Sequence, residues 1–153
     1  MGSIDTKKLA RAVRLNVVRM VNKGESSHIG SVLSIVDILA VLYGRVMNYD
    51  INNPKLEARD RFILSKGHAG AGVYATLAEV GFFDKSELLD HCQDGSKFSG
   101  HVSHKGISGV EFSTGALGHG LPVAAGMALR AKLDDLDYRV FTILGDGELD
   151  EGS

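Results

Sequence analysis

The residues of this chain best suited to chemistry sit in short glycine-rich stretches. Near the end, Gly145-Asp146-Gly147-Glu148 places a carboxylate between two glycines. Asp146 offers hard oxygens suited to Mg2+ or Ca2+, and the glycines let the backbone approach a bound group. Three histidines stand beside serine or glycine in separate stretches: Ser27-His28-Ile29-Gly30, Ser65-Lys66-Gly67-His68 and Gly100-His101. Imidazoles gathered in a cleft can hold hydroxyls and move protons near neutral pH. A further stretch, Gly115-Ala116-Leu117-Gly118-His119-Gly120, runs into a helical segment. It could aim backbone N–H groups and a positive helix end at a phosphate.

Each stretch also has a plainer reading. Asp146 could cap a helix that follows a strand, and the glycines of 115–120 could simply allow close helix packing. A single loop histidine is most often a surface or capping residue. What points to a site is their joint occurrence with Gly-Asp-Gly. Several common fingerprints are missing. The glycine stretch is not G-x-G-x-x-G, no Gly-Lys-Ser/Thr loop is present, and no nucleophile elbow supports a Ser-His-Asp triad. His91, Cys92, His101 and His104 match no common zinc spacing.

These residues need elements to position them. Arg61-Phe62-Ile63-Leu64 and Arg139-Val140-Phe141-Thr142-Ile143-Leu144 read as short buried strands that empty into the His68 and Asp146 stretches. The exit loops of parallel strands share one sheet edge, which is where open α/β sheets place ligands. Leu9, Val13, Val17 and Met20 recur at helical spacing, with Asp5 or Thr6 to cap the start and Gly24 to end the helix. Ile35 to Val46 reads as a helix buried on most faces, capped by Ser34 with Asp37. Ala69 to Val80 is helical and Gly81 stops it, and Asp84 with Glu87 caps a short helix to Cys92. Gln93 to Val110 has no clear period, and long loops of that kind are usually functional or mobile. Leu121 to Leu133 forms another helix, whose Ala124, Ala125, Gly126 and Ala128 suit tight packing on a neighbour. Strand, helix, strand in this order predicts an α/β fold: a parallel sheet with helices on both faces.

The chain has 153 residues, 44% of them apolar, enough for a single globular domain over 1–153 with a buried core. Its 17 basic and 19 acidic residues give a net charge of −2 without a long block of either sign. That pattern speaks against a nucleic-acid partner or a polybasic membrane surface. The single cysteine, Cys92, leaves no internal disulfide and fits a reducing, cytoplasmic setting. No apolar run is expected to span a membrane, and the N-terminal residues lack the core of a secretion signal. Met1 to Thr6 fits the loose N-myristoylation pattern, read here as an ordinary start.

Taken in order, Ser27-His28-Ile29-Gly30, Leu64-Ser65-Lys66-Gly67-His68, Gly100-His101, Gly109 to Gly120 and Leu144-Gly145-Asp146-Gly147-Glu148 resemble the successive motifs of transketolases. The likeness covers nearly the whole chain and is greatest to the short N-terminal subunits of two-chain transketolases. It implies the front part of the diphosphate-binding domain of the thiamine diphosphate fold. The implied activity is a thiamine diphosphate- and Mg2+-dependent transfer of a two-carbon ketol unit from a ketose phosphate to an aldose phosphate, in the pentose phosphate pathway. By that resemblance Asp146 ligates the metal, while Gly115, Ala116, Leu117, Gly147 and Glu148 lie at the cofactor. His68 touches the cofactor near the reacting centre, and His28 and His101 hold substrate hydroxyls and assist proton transfer. Glu151 corresponds to the buried acid that links two active sites across a dimer. The implied partner is a C-terminal subunit or pyrimidine-binding domain, in a homo- or hetero-oligomer.

The likeness has departures. Val102 stands where the family often has Pro, and Ala116 and His119 stand where Pro and Gln are common. The family's second metal ligand, an Asn, and its sugar-phosphate clamp fall beyond the residues of this sequence. The expectation is therefore a chain without turnover on its own. Two alternatives remain beside this reading. One is a related thiamine diphosphate enzyme, such as deoxyxylulose phosphate synthase or a 2-oxo acid dehydrogenase component. The other is a non-catalytic cofactor-binding or scaffold subunit.

Overall fold

The computed structural model of the chain describes residues 4–153, so the first three positions of the myristoylation pattern lie outside the described residues. Helix α1 (Thr6–Lys23) begins where the Asp5 carboxylate accepts the N–H groups of Lys7 and Lys8. Leu9, Val13, Val17 and Met20 bury one stripe of it, and Gly24 ends it as the sequence predicts. The left-handed residue there is Glu25 rather than Gly24.

The next stretch departs from expectation. Instead of one capped helix it forms α2 (Ile29–Leu33), α3 (Val36–Val41) and a π-helical turn over Leu42–Val46. The Ser34–Asp37 capping box does not form, because Ser34 has helical φ and ψ as the end of α2, whereas a capping side chain needs an extended backbone. Its hydroxyl donates to the Ser31 carbonyl at 2.8 Å, and Asp37 pairs with Arg14. Burial is also one-sided. Val32, Ile35, Val36, Leu39, Ala40 and Tyr43 enter the core, while Ile38 and Val41 are exposed. Contrary to expectation, Ile29–Val46 is long and apolar enough by composition to cross a membrane, with a mean hydropathy of 1.8 over 18 residues. Here it is broken into three segments that contact α1 and α4.

Strands β1 (Arg61–Leu64) and β2 (Val140–Ile143) pair in parallel, Arg61 opposite Val140 and Leu64 opposite Ile143. Phe62 and Leu64 join the main core with Tyr43 and Leu77. Ile63 is buried outside that core, on the opposite face, as strand alternation requires. That face is covered by α5 (Gly120–Leu133), which contacts both strands. Helices therefore cover both faces, and the fold is α/β as predicted.

Helix α4 (Gly70–Val80) is buried from Gly70 through Ala78 and ends at Gly81, whose φ is +100°. The Asp84–Glu87 capping box is present, heading a 3-10 rather than an α-helix (Lys85–Asp90). From His91 to His119 the chain has no regular element, yet Phe98, Val102 and Ile107 are buried. The small residues of α5 pack less than expected. Ala124 and Ala131 are buried, but nothing lies within 4 Å of a Cβ built on Gly126, and Leu121, Leu129 and Leu133 are exposed. Small size permits close packing, but a neighbour must be there to use it.

Candidate active site

The strand exits and the long loop converge at one sheet edge. β1 hands over directly to Ser65-Lys66 and the 3-10 turn Gly67–Ala69, which carries His68. His28 stands before α2 with a left-handed φ of 73°. The ring of His28 lies 5.2 Å from that of His68 and 5.6 Å from that of His101, centre to centre. Three histidines separated by 40 and 33 residues in sequence are thus gathered into one cluster. Gly115 borders the same cluster, because a Cβ built on it would sit 3.7 Å from Cδ2 of His101. Burial and the charges of Lys66, His28 and His101 hold the His68 imidazole below its ordinary value of 6.5, which favours the neutral ring. A neutral imidazole has one donor and one acceptor nitrogen, so it can hold a hydroxyl and exchange a proton with it.

The second part of the site is a carboxylate hub. Glu148 is buried and accepts hydrogen bonds from the Ser65 hydroxyl, from the Gly118 N–H at 2.9 Å and from the Gly145 N–H at 2.9 Å. Ser65 Oγ in turn accepts from the Gly120 N–H at 3.1 Å. One side chain therefore ties together the β1 exit, the glycine stretch ahead of α5 and the β2 exit. Burial alone would raise the Glu148 carboxyl, but the bonds from Ser65, Gly145 and Gly118 outweigh it and hold the group below its usual range. Gly120 is required here: a Cβ would lie 2.5 Å from Cα and Oγ of Ser65. The glycines of 115–120 thus serve close approach, and they also line the site.

Asp146 heads the short 3-10 turn Gly147–Asp150 but makes no capping bond, and its carboxylate accepts no hydrogen bond from the described residues. The capping explanation for it is thereby lost. It is exposed at the sheet edge, close enough to Lys66 to raise that ammonium's affinity for its proton. Gly147 is exposed beside it, as are Ala116 and Glu151, while Leu117 is half-buried. Glu151 lies over Gly118, its Cβ 2.9 Å from where a Gly118 side chain would begin. No group of three His, Cys, Asp or Glu side chains placed to hold a metal ion occurs among the described residues. His91 and Cys92 lie together, whereas His101 sits with His28 and His104 bonds to Ser113.

Lys66 belongs to the site although its spacing in the sequence suggests no role for it. It is 7% exposed, and its ammonium donates to the Ser31 carbonyl and the Ser34 hydroxyl, each at 3.3 Å. Burial lowers its proton affinity, against the pull of Asp146 and Glu148. A lysine directly after an apolar strand, between Ser and Gly, was the available signal. Sequence reasoning also missed the part of Ser65, since nothing in its spacing shows which groups its hydroxyl reaches.

A parallel sheet, helices on both faces and glycine-lined strand exits define an α/β protein with its candidate site where the strands end. The chain belongs to the transketolase family: residues 5–153 match the model described as transketolase, thiamine diphosphate binding domain. It is 41% identical over 150 residues to the 6-deoxy-6-sulfo-D-fructose transketolase subunit of a Clostridium species, covering 97% of this chain and 54% of that protein. It is 44% identical to an apulose-4-phosphate transketolase subunit of Actinobacillus succinogenes, with coverages of 97% and 54%. The transketolase of Leishmania mexicana superimposes with a TM-score of 0.88 at 33% identity, over 97% of this chain and 24% of that one. The chain thus spans about half the length of the subunit relatives it matches and a quarter of the single-chain enzymes.

Proposed function

We propose that this chain supplies the diphosphate-binding half of a transketolase site and acts in two-carbon ketol transfer between a ketose phosphate and an aldose phosphate. The observation that carries the reading is the convergence of three imidazoles, a glycine-lined loop and a free carboxylate at one sheet edge. Nothing in packing requires all of these groups together, and their retention weighs against a scaffold that has lost turnover.

Asp146 is the metal ligand of this reading. One hard carboxylate fits Mg2+ (or Ca2+), which takes one or two protein carboxylates together with phosphate oxygens and water. Gly115, Ala116, Leu117 and Gly147 let the backbone come close to a diphosphate, and Glu148 acts by holding those loops in register. His68 meets the cofactor near its reacting end, and His28 and His101 bind the sugar hydroxyls. When bound, thiamine diphosphate supplies the carbanion chemistry that no side chain here could provide. The histidines orient the hydroxyls and hold or release the proton as the C–C bond breaks and forms. Glu151 serves as the acid linking two sites across a dimer.

The partner in this reading is a C-terminal subunit or pyrimidine-binding domain, in a cytoplasmic assembly, and the 153-residue chain alone turns over no substrate. Relatives named for a sulfosugar and for apulose 4-phosphate indicate that sugar choice varies within such subunits. The test is a donor screen with the full-length chain and its partner subunit, comparing xylulose 5-phosphate with pyruvate in the presence of thiamine diphosphate and Mg2+. Ketol transfer from the sugar phosphate is expected. Turnover of pyruvate alone would favour a synthase or dehydrogenase component, and turnover by the isolated 153 residues would contradict the need for completion.

A further inference from the structure

Tyr74 has no part in the binding site just described, yet its hydroxyl reaches the loop that carries His101. We infer that Tyr74 is a positioning residue for His101, fixing that imidazole in its place beside His28 in the three-histidine cluster; the inference rests on the transketolase reading for the role of His101.

Tyr74 is fully buried in α4, six residues after His68. Its ring packs edge-on against Phe98, 5.3 Å between centres. A phenylalanine would fill that space equally well. A buried tyrosine hydroxyl needs partners, and both of this one's lie in a single loop. It donates to the His101 carbonyl at 2.9 Å and accepts from the Ser103 N–H at 2.8 Å. The Ser99 hydroxyl donates to the same His101 carbonyl at 2.8 Å, so both lone pairs of that oxygen are used.

Between these bonds, the Val102 N–H donates to the Gly67 carbonyl at 2.9 Å. Gly67 directly precedes His68. Gly70 closes the contact, since a Cβ there would lie 2.6 Å from the Val102 nitrogen and 3.0 Å from the His101 carbonyl carbon. Three successive residues, 101 to 103, are thus held by α4 and its leading turn, the same turn that carries His68. The backbone that leaves the His101 side chain on its C-terminal side is thereby fixed to one helix and its leading turn. Loop residues cannot hold a productive geometry without such support, and small displacements at a reacting centre cost large factors in rate.

The test uses the full-length chain with its partner, thiamine diphosphate and Mg2+. Tyr74→Phe keeps the ring packing but leaves the Ser103 N–H without its acceptor. The inference expects kcat to fall about 10-fold, with cofactor affinity changed less than about 2-fold. In a His101→Ala background the same substitution is expected to have no further effect on kcat, because the group it positions is gone. A second readout needs no turnover: amide hydrogen exchange at Ser103 is expected to speed up about 10-fold in Tyr74→Phe. Should the variant fold poorly, Ser99→Ala removes the other donor to the His101 carbonyl from an exposed position and is expected to lower kcat in the same sense. Equal losses of kcat with and without His101, or an unchanged rate and unchanged exchange, would overturn the inference. A wild-type complex without ketol transfer but with the exchange change would instead overturn the functional reading and leave the Tyr74 linkage standing.

Discussion

Glu148 shows how one buried side chain can hold several loops of a site together. Its carboxylate joins three loops through Ser65, Gly118 and Gly145. Removing it leaves a buried N–H, a half-buried N–H and a buried hydroxyl without the acceptor they share. Glu148→Ala is therefore expected to destabilise the chain by about 3 kcal/mol, read as a lower urea midpoint. A change under about 0.5 kcal/mol would mean that water replaces the carboxylate freely. By resemblance the sequence placed Glu148 at the cofactor, with no sign of a role in joining loops. Hydrogen-bond partners 30 and 83 residues away leave no local signal, so its hub role was not legible. The three histidines were legible as candidates because each stands beside Gly or Ser, but only the fold shows that they meet.

At the scale of elements, what could be read was what depends on local chemistry. The α1 cap at Asp5, the stop at Gly81, the Asp84–Glu87 capping box and the parallel pairing of β1 with β2 all follow from residue type and spacing. The break at Ser34 was not legible. Ser with Asp three residues on has capping spacing in any context, and it failed because α2 already held Ser34 in helical conformation. The α5 glycines make the same point in opposite directions. Gly120 touches Ser65, whereas Gly126 touches nothing within 4 Å. Gly120→Ala is expected to cost about 2 kcal/mol by overpacking. Gly126→Ala in the isolated chain is expected to be neutral or to stabilise by up to about 1 kcal/mol through helix propensity. Paired thermal melts check both, and a reversed order would contradict the packing described at the two positions.

For the whole molecule, one buried and one half-buried imidazole set the response to mild acid. His91 is 2% exposed, bonds Ser26 through Nε2 at 3.2 Å and leaves its buried Nδ1 without a hydrogen-bond partner among the described residues. Cys92 and Tyr74 are its other polar neighbours. Burial holds His91 below its ordinary value of 6.5, as it does His68, against a smaller opposing effect of the Phe98 backbone on His91. Between the lowered folded value and about 6.5, the unfolded chain binds protons that the folded chain does not. Stability is thus complete above about pH 6.5 and falls as pH drops below it. The urea midpoint is expected to decline from about pH 7.5 to about pH 5.5, and His91→Gln is expected to flatten that decline. A midpoint flat over this range in the wild type would contradict the burial argument.

The completed assembly rests on one claim above the others: that Asp146 holds the metal through which this chain binds a diphosphate. Family membership and fold follow from the match over residues 5–153 and from the parallel sheet. The proposed metal role of Asp146 rests on an exposed carboxylate without a capping bond after β2 and on hard-ligand chemistry. The direct measurement is calorimetric titration of thiamine diphosphate into the full-length chain with its partner, with and without Mg2+, for wild type and Asp146→Ala. The account predicts saturable, Mg2+-dependent binding in the wild type and its loss, by at least about 100-fold in affinity, in the variant. Unchanged affinity in Asp146→Ala would contradict it.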